Sequence, residues 1–378
     1  SHKVLAFPYD WRQPLPVLGE KLARFLEPLR DTRQPVRLLA HGMGGLVVRA
    51  CVHVSREMKD KHGAAPVPIV GHLMQHEGSR FIMLGTPNHG SYAVVADLLG
   101  KGDGFRSLWR LETGGVKLKH LTDTFATFPG FLSLLPAPDF IDVSQAPGAK
   151  AHYDFHKQDT WREMTEKVSD RWFNLACTIP EQTLLREATW LFEQDAGKDL
   201  HDRALLPAGA EPKTVYVFGV APSTPCGIDT FPGASRRIAL LATPAGDGMV
   251  TWESGRLAGI DSYYFMPVRH GDLPSSTDYF PALLELLKTG TTRLLPREAP
   301  VRSGERTGPI RYDAAPPTAA DTEAVQRCLL GGSVRRRLPS GLRRRLAVAV
   351  RAMDLRFLSK PIMDDSLHRT LQELDIRP

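Results

Sequence analysis

Leu38-Leu39-Ala40-His41-Gly42-Met43-Gly44-Gly45-Leu46-Val47-Val48-Arg49 decides the reading of this chain. The apolar run from Val36 to Ala40 predicts a buried strand, a tight Gly-rich turn follows, and Leu46 to Val54 predicts the start of a helix. Strand, sharp turn and helix make the geometry that presents a nucleophilic Ser between small residues. The pattern expected there is small-His-Ser-Met-Gly-Gly, and the Ser position holds Gly42. The turn is present without the atom that would attack.

Outward from the turn, the chain alternates strands with helices. Leu18, Leu22, Phe25, Leu26 and Leu29 give helical spacing over Leu15 to Leu29. Arg80 to Gly85 predicts a second strand, running into Thr86-Pro87-Asn88-His89-Gly90-Ser91. A loop at that end of a strand lies on the ligand side of an open α/β sheet. Thr214 to Val220 and Ser262 to Met266 predict further strands. A Pro244-Ala245-Gly246-Asp247-Gly248-Met249-Val250 loop lies between them, and Phe280 to Leu287 predicts a closing helix. Acyl transfer by a serine enzyme needs a hydroxyl, an imidazole that takes its proton and a carboxylate that orients the imidazole. On an α/β-hydrolase sheet these arrive in the order nucleophile, acid, base. The turn at Gly42, Asp247 in its Gly-Asp-Gly loop and His270 after the last strand follow that order.

Pro8-Tyr9-Asp10-Trp11-Arg12, the His41 turn, Leu84-Gly85-Thr86-Pro87-Asn88-His89-Gly90-Ser91, Thr127-Phe128-Pro129-Gly130-Phe131 with Leu134-Leu135-Pro136, Gly246-Asp247-Gly248-Met249-Val250 and His270-Gly271-Asp272 together resemble the lecithin:cholesterol acyltransferase family. The resemblance spans about residues 3–290. It implies an α/β-hydrolase fold, a mostly parallel doubly wound sheet with a helical cap, acting on phospholipid-type or other lipid esters. By resemblance Asp247 is the triad acid, His270 the triad base, and Met43 supplies one oxyanion N–H. The family's other oxyanion donor belongs to a loop preceding the first residue here, so N-terminal strands are expected to be missing or supplied by a partner chain. Lys3 to Phe7 reads as a strand entered at once. Ser91 sits in a loop and Cys51 lies well along the helix, so neither is favoured as a substitute nucleophile. Gly42 is either an engineered replacement or the mark of a natural pseudoenzyme. The function expected is therefore a lipid acyl hydrolase or acyltransferase, inactive as written. The alternative is a non-catalytic lipid- or protein-binding scaffold.

The domain reading assigns 1–96 and 213–290 to the hydrolase core, 97–212 to a cap or lid rich in aromatic residues, 291–320 to a Pro/Arg/Thr/Ala-rich linker and 321–378 to a basic helical tail. Ser169 to Glu187 has amphipathic helical spacing. A net charge of +6 depends on Arg335, Arg336, Arg337, Arg343, Arg344 and Arg345, six cations within eleven residues. Such a cluster suits an anionic membrane surface, a partner domain, nucleic acid or simply solvent, and the main body carries no nucleic-acid footprint. His72 and His76 are spaced four apart, but no third ligand follows, so they read as surface histidines; no metal or cofactor is expected. Cys51, Cys177, Cys226 and Cys328 are scattered and read as reduced thiols of a cytoplasmic protein.

Overall fold

The structure is a computed structural model describing residues 3–56, 69–100, 102, 118–142, 153–168, 178–195, 213–230, 238–300 and 310–311. The first part of the chain contributes α1 (Leu15–Leu26), β1 (Arg37–His41), α2 (Met43–Ser55), α3 (Ile69–Met74), β2 (Arg80–Leu84) and α4 (Tyr92–Leu98). Then come α5 (Leu118–Phe125), α6 (Pro129–Leu132), α7 (Gln158–Val168) and α8 (Gln182–Asp195). The last part holds β3 (Thr214–Gly219), β4 (Thr224–Thr230), β5 (Ile238–Thr243), α9 (Trp252–Gly255), β6 (Tyr263–Met266), α10 (Phe280–Thr289) and β7 (Ile310–Arg311).

The apolar runs become one sheet of order β1-β2-β3-β6, every neighbouring pair parallel. Parallel strands are covered on both faces, which is why they read as nearly unbroken apolar segments. Alternate side chains divide between the two covers. Phe81, Met83, Tyr216, Phe218 and Phe265 pack with α1, α2 and α3, whereas Ile82, Leu84, Val215, Val217, Tyr264 and Met266 pack with Leu283 and Leu286 of α10. This is the α/β-hydrolase arrangement. Helix α2 is apolar around most of its circumference, as a fully covered helix must be. It lies so close to α1 that a Cβ at Gly19 would come within 2.7 Å of the Ala50 carbonyl carbon.

A second core joins Tyr92, Phe131, Leu132, Trp161, Met164 and Leu185 to Ile228 and Leu240 of the β4–β5 hairpin. That hairpin was not foreseen. β4 reads Thr-Pro-Cys-Gly-Ile-Asp-Thr, and its Pro and Gly sit where the register shifts between Pro225 and Gly227.

Three expectations change. Lys3 to Phe7 forms no strand: Val4 is 88% exposed, and among the described residues no strand flanks β1 on the edge opposite β2. The segment 291–320, read as a linker, supplies β7, which pairs antiparallel with β5, and Leu295, which is buried against α10. The Ser169–Glu187 helix is α8, which begins at Gln182; residues 169–177 lie outside the described residues. The tail 321–378 with its Arg335–Arg345 cluster, Cys177 and Cys328 also lie outside them. Among the described residues no helix is long and apolar enough to cross a membrane.

Candidate active site

Gly42 and His270 come from the carboxyl ends of the parallel strands β1 and β6, where an open α/β sheet holds its ligands, and Asp247 comes from the loop after β5 of the antiparallel sheet. β1 ends at His41, and the next residue, Gly42, takes φ +53° and ψ −125° before α2 begins at Met43. A side-chain-bearing residue pays a strain cost in that conformation. The turn is held by the Gly42 amide donating to the Leu84 carbonyl at 2.9 Å and the Gly45 amide donating to the Gly42 carbonyl at 3.2 Å. As the first helical residue, Met43 has no carbonyl one turn earlier to receive its amide, which is directed out of the helix at its positive end.

Asp247 follows β5 in a tight loop and is only 2% exposed. One carboxylate oxygen, Oδ1, accepts the Met249 and Val250 amides at 2.9 and 2.7 Å. The other, Oδ2, accepts the His270 Nδ1–H at 2.8 Å. His270 follows β6, and its own amide donates to the Asp247 carbonyl at 2.9 Å. Both ends of the pair are therefore fixed. In the neutral imidazole, a proton on Nδ1 leaves Nε2 as a lone pair. That nitrogen points at the turn: a Cβ built on Gly42 would lie 3.2 Å from His270 Nε2 and 3.7 Å from Cε1, and apart from its chain neighbours it would meet no other atom of the described residues within 4 Å. The structure thus gathers Gly42, Met43, Asp247 and His270 at one corner.

Three further residues shape that corner, and the sequence reading assigned a role to none of them. His41 Nε2–H donates to the His270 carbonyl at 2.9 Å, and the two rings lie 4.6 Å apart. Burial holds the His41 imidazole below its usual pKa, with the neighbouring His270 acting in the same direction. Gly85, at the end of β2 with φ +58°, leaves room for the pair: a Cβ there would meet Asp247 Oδ2 at 2.8 Å and His270 Nδ1 at 2.9 Å. Gly219 does the same at the end of β3, where a Cβ would come within 2.7 Å of the Asp247 Cβ. A Gly closing a strand was the only available signal, and it names no neighbour.

The substitutes weighed for the nucleophile are committed elsewhere. Ser91 caps α4, accepting from the Ala93 amide at 3.1 Å and donating to the Met249 carbonyl. Cys51 is wholly buried in α2, and that burial pushes its thiol up to about 12. Burial raises the Cys226 thiol as well. His72 and His76 bond the carbonyls of Arg30 and Arg33 at 3.0 and 3.1 Å, tying down the turn before β1.

The family model described as lecithin:cholesterol acyltransferase matches residues 1–196. No curated protein matches. Among solved structures, the chain is similar to one described as the Tle4–Tli4 complex, at 12% identity over 74% of this chain and 67% of that one, with a TM-score of 0.41. It is also similar to the Bacillus licheniformis lipase BlEst2 in mature form, at 14% identity over 73% of this chain and 75% of that one, with a TM-score of 0.32. Asp247 and His270 lie beyond the matched span and stand on geometry alone. The match takes in more than half of the 378 residues, including the turn at Gly42. The chain belongs to the lecithin:cholesterol acyltransferase family, a family of lipid acyl hydrolase and acyltransferase function.

Proposed function

We propose that this chain carries the acid–base half of a lipid-ester acyl hydrolase or acyltransferase site, and that Gly42 prevents it from forming an acyl-enzyme. Asp247 orients His270, His270 moves the proton, and the Met43 amide meets the developing oxyanion. One observation carries this reading: His270 Nε2 faces the turn 3.2 Å from where a Cβ at position 42 would stand, while Nδ1 is held by a buried carboxylate. A Ser at that position would bring its hydroxyl within hydrogen-bonding reach of the imidazole, the arrangement general-base activation needs.

An apolar acyl chain is supported by the ring cluster next to the turn. The Tyr9 hydroxyl lies 3.7 Å from a Cβ built on Gly44, and the same loop carries Trp11, whose ring is 5.6 Å from both Phe125 and Phe128. Trp11 is 40% exposed, so this cluster presents an apolar face to solvent. The helices between β2 and β3 accordingly read as a cap over the acyl group.

The test is Gly42→Ser assayed with p-nitrophenyl butyrate and phospholipid vesicles, together with fluorophosphonate labelling. The variant is expected to take the label and turn over, and a second change, His270→Ala, to abolish both. A Gly42→Ser variant that neither labels nor hydrolyses any ester would overturn the proposal.

A further inference from the structure

We propose that the space beside Gly42 is an acceptor site in its own right. Water or a small primary alcohol, held against His270 Nε2, takes the acyl group directly from a donor ester with no covalent intermediate on the protein. The inference rests on the acyl-transfer reading above and deepens it by naming the attacking species.

Three observations converge. The proton-moving pair keeps its full set of bonds, from the Asp247 carboxylate through His270 to the His41 hydrogen bond on the far side. Gly85 and Gly219 still clear the room this pair occupies. Apart from the adjoining residues 41 and 43, the atoms of the described residues within 4 Å of a Cβ built on Gly42 are His270 Nε2 and Cε1. A serine side chain is one carbon and one hydroxyl oxygen, the same heavy atoms as methanol. Without that side chain the Nε2 lone pair is left to a free water or methanol oxygen, which stands at hydrogen-bonding distance from Nε2 and in van der Waals contact with the Gly42 turn. Gly42 also holds its φ of +53° without the strain a larger residue would bear there.

The step balances. The acceptor oxygen forms its bond to the ester carbonyl carbon as its proton passes to His270 Nε2, and the carbonyl oxygen becomes an oxyanion facing the Met43 amide. The tetrahedral intermediate then collapses, the bond to the leaving alkoxide breaks, and His270 returns its proton to that alkoxide. Water yields a carboxylic acid and an alcohol, whereas an alcohol yields a new ester. Relative to a tethered hydroxyl the acceptor loses its pre-paid positioning, so the rate should lie about 10³-fold or more below that of Gly42→Ser.

The experiment uses the chain as it stands with p-nitrophenyl butyrate and increasing methanol. Nitrophenol release should start without a burst, and methyl butyrate, measured by gas chromatography, should form in proportion to methanol. His270→Ala should lower the rate about 100-fold or more. Gly42→Ala should lower it to a similar degree, since its methyl group would stand 3.2 Å from Nε2 and crowd out an acceptor held there. Fluorophosphonate should label only Gly42→Ser. Activity that persists in Gly42→Ala or His270→Ala overturns the inference, as does a burst in the unaltered chain. An inactive unaltered chain beside an active Gly42→Ser removes this inference and leaves the proposed function standing. If both are inactive, both readings fall.

Discussion

Gly85→Ala is the sharpest perturbation the structure offers, because its consequences for stability and for chemistry arise from the same methyl group. Gly85 closes β2 at φ +58°. A side chain held there costs about 1–3 kcal/mol of backbone strain. The added Cβ would also stand 2.8 Å from Asp247 Oδ2, 2.8 Å from Leu273 Cδ1 and 2.9 Å from His270 Nδ1. Forcing a methyl into space already filled adds about 1–3 kcal/mol. Together these give a loss of about 2–6 kcal/mol, a large part of the 5–15 kcal/mol that holds a typical domain folded. Two of the three atoms that must give way are those joined in the 2.8 Å hydrogen bond of the pair. Urea unfolding followed by circular dichroism reads the stability. Ester turnover in a Gly42→Ser background reads the chemistry, and both should fall. Gly271→Ala is the control, because a Cβ there would meet nothing within 4 Å and its φ is not positive. That change should be neutral or stabilising by up to about 1 kcal/mol. If Gly85→Ala unfolds at the same urea concentration as the unaltered chain and keeps its turnover, the claim that Gly85 makes room for the pair is wrong.

Gly42→Ser should lower stability by about 1–3 kcal/mol through the φ of +53° alone, and an equal or higher unfolding midpoint would count against strain at the turn. Burial holds both His41 and His156 below the ordinary 6.5 in the folded chain. Unfolding therefore takes up protons once the pH drops below about 6.5, so stability is fully present above that pH and declines as the solution is acidified. Thermal melts at pH 7.5 and 5.5 should show this decline, and His41→Gln should make it shallower; an unchanged slope would refute the assignment. Cys51, with its thiol pushed up to about 12 and its side chain enclosed, should resist iodoacetamide in the native chain and react only after unfolding, as read by mass spectrometry.

The strands of the parallel sheet were legible because each is a short apolar run covered on both faces, and the turn was legible because its glycines and its place between strand and helix are local features. Asp247 and His270 could be placed by the order in which they follow their strands. Where packing partners decide, legibility stopped. Val4 and Leu5 look as apolar as any strand residue, yet no paired strand forms there and Val4 is 88% exposed. Thr224–Thr230 carries Pro225 and Gly227 and still pairs with β5 through a bulge. Gly85 and Gly219 matter through atoms they lack, and only the folded chain shows that Asp247 and His270 would occupy the same space. The bond from His41 to the His270 carbonyl was hidden for the same reason, since it joins residues 229 apart in sequence.

Retention of the Asp247–His270 pair does not by itself separate a working site from an inherited scaffold. A carboxylate only 2% exposed must keep its partners whether or not it serves catalysis. Removing one partner of a buried group costs about 1–3 kcal/mol, which is reason enough for His270 Nδ1 to stay in place. The nitrogen on the far side is different: Nε2 forms no hydrogen bond among the described residues, and the group it faces is the Gly42 turn. His270→Asn distinguishes the two roles. Its amide can donate to Asp247 Oδ2 as Nδ1–H does, but nothing replaces Nε2. His270→Asn should therefore unfold within about 1 kcal/mol of the unaltered chain, whereas His270→Ala should lose about 1–3 kcal/mol. In the Gly42→Ser background both should lose acyl transfer. If the Asn variant keeps its turnover, Nε2 is not the proton acceptor. If the Ala variant is as stable as the Asn variant, the hydrogen bond to Asp247 is not what keeps His270 in place.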